Sequence, residues 1–101
     1  MWLEEILPYT KRIIHNKKEK RITLVHPHFN QGPSNYKRLI RALSFNIHFS
    51  YLVECVGFAS IKGMIILDRI VNHLNRLDNV DYVKFNHNIE AGMYNLQIKF
   101  K

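Results

Sequence analysis

Near the end of the chain, apolar and polar residues alternate strictly. Tyr94, Leu96, Ile98 and Phe100 fall to one side, and Asn95, Gln97, Lys99 and Lys101 to the other. Period two predicts a half-buried strand over Met93–Lys101. The same alternation predicts a strand over Phe45–Cys55. Phe45, Ile47, Phe49, Tyr51, Val53 and Cys55 share one face, Asn46, His48, Ser50 and Glu54 the other, and Gly57 marks the end. Between these two stretches the period lengthens. Ile61, Met64, Ile65, Leu67, Ile70, Val71, Leu74 and Leu77 lie on one broad helical face, which predicts a helix over Ser60–Leu77 with that stripe in the core. Asp78-Asn79 closes it, Tyr82–Phe85 reads as a strand and Asn86–Gly92 as a loop.

The first half is more polar. Pro8 breaks any helical turn begun by Trp2–Leu7, so Leu7-Pro8-Tyr9-Thr10 reads as extended chain. Ile13 and Ile14 offer apolar side chains to both sides of a strand. The polar run His15–Lys20 suits a turn, and Arg21–Val25 a return arm; a continuous helix from Trp2 to Lys20 is the competing reading. Pro27 lacks an amide donor and restricts His26, so pairing should stop at His26-Pro27-His28. Asn30–Asn35 is dense in turn residues, and Ser34 or Asn35 can cap a helix over Tyr36–Leu43. Leu39, Ile40 and Leu43 form its apolar stripe, leaving Lys37, Arg38 and Arg41 outside it. The order of elements predicts an α+β sandwich, two helices packed on one face of a mostly antiparallel sheet.

Charge sharpens the picture. The chain has 101 residues, enough for one domain, which divides into a basic hairpin and loop (8–35) and an α+β body (36–101). Lys11–Arg41 holds nine of the fifteen Lys and Arg residues and one acid, Glu19, so that segment carries +8 and the remainder −1. Cations gathered in one stretch are the expected footprint of nucleic-acid binding. No apolar run approaches a membrane span, and Met1-Trp2-Leu3-Glu4-Glu5 lacks the pattern of a secretory or transit peptide. The single Cys55 excludes an internal disulfide and fits a reducing compartment. Twelve Ile and ten Asn against three Ala and four Gly point to AT-rich codons, and so to an AT-rich genome, of which an organellar one is one case.

Catalytic chemistry is sparse. His26 and His28 form a His-x-His pair that an extended chain would turn to one side, but no third ligand follows at a diagnostic spacing. Contacts to RNA suit these histidines better than a metal or other cofactor. The eight acids are dispersed, no Gly-rich phosphate loop occurs, and Cys55 sits on an apolar strand face. Tyr9, Phe29 and Tyr36 lie near the basic segment and could stack on bases, although Tyr36 better suits anchoring its helix.

The run Leu7-Pro8-Tyr9-Thr10-Lys11-Arg12, then Arg21 through Asn30, then Tyr36, resembles the small-subunit ribosomal protein ten family, especially its mitochondrial members. Ala91-Gly92-Met93 entering the last strand is similar to the family's closing strand. The family's serine before Pro-His is His26 here, and Gln31-Gly32-Pro33-Ser34 replaces most of its basic turn. The chain also lacks the strand and helix with which the family begins.

The resemblance implies a ferredoxin-like sandwich, incomplete or split, with a protruding basic hairpin. Thr10, Lys11 and Arg12 would lie on the outgoing arm, Arg21–Val25 on the return arm, and Pro27, His28 and Asn30 at the tip. It implies a non-enzymatic constituent of the mitochondrial small ribosomal subunit head, encoded in the organelle or outside it. Partners would be ribosomal RNA, neighbouring small-subunit proteins and a second chain supplying the missing strand and helix, with no membrane. Lys11, Arg12, Lys17, Lys18, Lys20, Arg21, Lys37, Arg38 and Arg41 would contact phosphates, while His26, His28 and Asn30 set register. A small metal nuclease using His26 and His28, and an RNA- or protein-binding module outside the ribosome, are the competing readings.

Overall fold

The computed structural model describes residues 10–27, 33–46, 51–88 and 90–101. The expectations for Trp2–Tyr9, for His28–Gly32 and for the stretch 47–50 lie outside the described residues.

Strands β1 (Arg12–Asn16) and β2 (Arg21–Val25) form an antiparallel hairpin, so the hairpin reading holds over Lys11–Lys20 and the continuous helix does not. The Asn16 side chain accepts from the Glu19 amide, and Lys20 closes the turn at φ 53°. Helix α1 (Pro33–Asn46) then crosses to β3 (Leu52–Phe58), which runs parallel to β2. Helix α2 (Ile61–Leu74) leads to β4 (Val80–Asn88), and a tight turn with Gly92 at φ 63° returns β5 (Met93–Phe100). The sheet order is β1-β2-β3-β5-β4.

Because β5 is antiparallel to both neighbours, β3 and β4 are parallel with β5 inserted between them, a split β-α-β unit. The two crossovers, β2 to β3 and β3 to β4, step the same way across the sheet. Crossovers of this kind are nearly always right-handed, and two of one hand stepping one way put both helices on one face. The core agrees: Leu39, Ile40 and Leu43 of α1 and Leu67, Ile70 and Leu74 of α2 are buried with Ile22, Leu24, Val53, Leu96 and Ile98. The protein is thus α+β, two helices on one face of a five-stranded mixed sheet.

Several expectations need correction. The return arm is not part of a protruding finger. β2 is an interior strand, hydrogen-bonded on both sides, and Ile22 and Leu24 are fully buried. A five-residue strand with that much apolar surface gains more from the core than from solvent. The hairpin tip is Lys17–Lys20, while Pro27 lies at the other end of β2. The strand expected over Phe45–Cys55 starts only at Leu52, level with Arg21, because α1 continues through Phe45 and Asn46 and a parallel crossover must bring the chain back before pairing begins. Gly57 is inside β3 rather than at its end. Its missing Cβ admits Tyr94, whose Oη would lie 2.9 Å from such an atom.

Helix α1 opens at Pro33, where a proline costs no hydrogen bond, so Ser34 and Asn35 lie within the helix rather than capping it. Ser60 caps α2, accepting from the Gly63 amide at 3.0 Å. The α2 stripe is narrower than its periodicity predicts, for Ile61 is 87% exposed and Ile65 56%. β4 extends to Asn88, past the expected Phe85, because β5 supplies partners without a break from Tyr82 through Asn88.

Candidate nucleic-acid interface

Register alone builds the sheet face turned away from both helices. One row across the five strands reads Arg12, Val25, Val56, Asn95 and Asn86. The next reads Ile14, Thr23, Glu54, Gln97 and Lys84, and the third Asn16, Arg21, Leu52, Lys99 and Tyr82. A partial fourth row, Phe58, Met93 and Asn88, crosses the last three strands. Arg12, Arg21, Lys84 and Lys99 are cations on this face, and Glu54 is the one acid in the three complete rows. The Lys17–Lys20 turn extends the basic edge beyond Arg21, and Lys84 Nζ lies 5.1 Å from the Tyr82 ring centroid.

Glu54 is held in place as a carboxylate. One carboxylate oxygen accepts from Asn95 Nδ2 and Gln97 Nε2, both at 3.0 Å. Partial burial pushes its pKa up, but these two donors and the nearby Arg21 charge outweigh it and hold the carboxyl below its usual value. The acid is therefore a fixed, ionised acceptor for its neighbours. Asn95 spends its amide donor on Glu54, and its Oδ1 is buried with no hydrogen-bond partner among the described residues. Asn95 also lines a cavity of about 370 Å³ together with Val56, Asn86, His87, Asn88, Met93 and Tyr94.

Beside the cavity the chain leaves β2 under strain. His26 has φ 52°, a region that non-glycine residues rarely occupy, rather than the extended conformation the following proline favours. Its amide donates to the Val56 carbonyl at 2.7 Å, and its ring stacks on Phe58 with centroids 5.1 Å apart. Gly57 makes this approach feasible, since a Cβ there would sit 3.2 Å from the His26 Cα. Phe58 itself is 68% exposed, so the pair presents an aromatic surface to solvent.

The cations singled out in the sequence fall on two surfaces. Lys11, Arg12, Lys17, Lys18, Lys20 and Arg21 are exposed on the hairpin, continuous with the open sheet face. Lys37, Arg38 and Arg41 are exposed on α1, whose buried side carries Tyr36, Leu39, Ile40 and Leu43, so they belong to the outer side of the helix layer. His26 is half-buried beside Phe58, and His28 and Asn30 lie outside the described residues. Lys84, Lys99, Tyr82, Phe58 and Asn86 join the first surface without having been singled out. The signal for Lys99 was present in the polar side of the last strand; the others depend on pairings that are remote in sequence.

For other chemistry the described residues offer little. No three of their His, Cys, Asp and Glu side chains gather as a metal would require. Burial pushes the Cys55 thiol up to about 12, reinforced by the Glu54 charge and opposed by a hydrogen bond with Tyr36. Among known proteins, no family model, no curated protein and no solved structure matches this chain.

Proposed function

We propose that this chain is a non-enzymatic, RNA-binding constituent of a small ribosomal subunit of the mitochondrial type, held to ribosomal RNA by its basic hairpin. The observation that carries the reading is the set of exposed cations on the hairpin, with Arg21 beside the Lys17–Lys20 turn and Arg12 at the opposite end of the same open sheet face. Cations in that arrangement track a phosphate backbone. The resemblance to ribosomal protein ten falls on the same stretch, although the hairpin here turns at Lys17–Lys20 and not at the His26-Pro27-His28 segment. The split β-α-β unit of β3, α2, β4 and β5 supports a ferredoxin-like reading of the body, with β1 and β2 added beyond β3. β2 and β3 are hydrogen-bonded directly, so a strand contributed by a partner chain would add at an outer edge, β1 or β4.

The test is sedimentation of the full chain with small ribosomal subunits through a sucrose gradient at moderate salt. Co-migration that weakens as salt rises is the expected result. Migration with a different complex would move the chain to an RNA- or protein-binding role outside the ribosome.

A further inference from the structure

Resting on the RNA-binding reading but going beyond its hairpin, we infer that the open sheet face holds unpaired RNA, with one base seated in the cavity between β3, β5 and β4. Two features meet there. Asn88 Oδ1 accepts from the Ala91 amide, which leaves the Asn88 amide donors for another partner, while Asn86 is exposed on the same rim. The His26–Phe58 stack borders Met93 and supplies a surface for a neighbouring base.

Charge selects this occupant over an apolar one. Met93 to Lys99 spans about 20 Å of strand, at roughly 3.4 Å per residue. A chain lying along it runs from the amide-lined cavity to Arg21, Lys99 and the lysine turn, so bases and phosphates meet suitable partners at opposite ends. A duplex cannot use the cavity, because its bases are stacked and paired. Single-stranded RNA is the occupant that satisfies both ends.

The experiment measures binding of the full chain to a labelled ten-nucleotide single-stranded RNA of mixed sequence and to an RNA duplex of equal length, across a salt series. The single strand should bind more tightly. Phe58→Ala and Asn86→Ala both alter exposed side chains, so folding is preserved, and thermal melts would verify this. Each should weaken single-strand binding by roughly tenfold without changing the slope of log affinity against log salt, because neither removes a charge. Should these variants bind as the wild type does while Lys17→Ala/Lys18→Ala/Lys20→Ala weakens binding, the face is not the site and the hairpin reading survives. Preference for the duplex would also overturn the face. Failure to bind either RNA at low salt would overturn both.

Discussion

Glu54 stands at the centre of the open face, and its behaviour can be followed by pH. Its folded-state pKa lies below its unfolded value, since the Gln97 and Asn95 donors and the Arg21 charge outweigh partial burial. The stabilisation is therefore complete above the unfolded value of about 4.3 and is lost as pH falls through the folded one. Glu54→Gln keeps an acceptor for both amides but removes the charge. Urea midpoints should favour the wild type at neutral pH, with the difference closing in acid; a gap that widened in acid would contradict the assignment. Gly57 invites a second test. A methyl there meets Tyr94 Oη at 2.9 Å and the His26 Cα at 3.2 Å. Gly57→Ala should cost about 1–3 kcal/mol of stability, read from the same urea series, and should loosen the His26–Phe58 stack. Unchanged stability would mean that Tyr94 moves aside freely.

At the scale of elements, the sequence was most readable where burial is one-sided and local. The β5 alternation predicted the buried set Tyr94, Leu96, Ile98 and Phe100, and the α1 stripe of Leu39, Ile40 and Leu43 is likewise buried. Reading failed where pairing decides. Phe45 fits a period-two pattern and a helix end equally well, and only the level at which β3 meets Arg21 separates them. Nothing in Arg21–Val25 announces that it is parallel to a strand thirty residues later, so a charged neighbourhood made an interior strand look like the arm of a finger. The candidate site suffered similarly: Asn86, Lys84 and Tyr82 come together with Asn95 and Lys99 only through β4–β5 register. Hydrogen exchange tests the corrected element. Amides of β2, bonded to β1 and β3 around two fully buried side chains, should be protected close to the global limit, while the Lys17–Lys20 turn exchanges quickly. Rapid exchange throughout β2 would restore the reading of the hairpin as a protruding finger.

Over the whole molecule, the basic charge is divided by the fold. The sequence groups Lys11–Arg41 as one cationic segment, but the β2–α1–β3 crossover carries Lys37, Arg38 and Arg41 to the outer side of the helix layer, away from the hairpin and the open sheet face. The molecule measures 34 × 26 × 22 Å, so the two basic surfaces are separated by more than a Debye length of about 8 Å at physiological salt. They should act independently. Lys17→Ala/Lys18→Ala/Lys20→Ala should lower the salt slope for the ten-nucleotide single strand by about two units if all three lysines meet phosphates. Lys37→Ala/Arg38→Ala/Arg41→Ala should leave that slope unchanged, yet both triple variants should weaken incorporation into an intact subunit, where RNA and protein surround the chain. The helix triple variant thereby separates two architectures. If it lowered the slope for the short strand as much as the hairpin variant does, the RNA would have to wrap around the molecule, and the open sheet face would be only one part of a continuous belt.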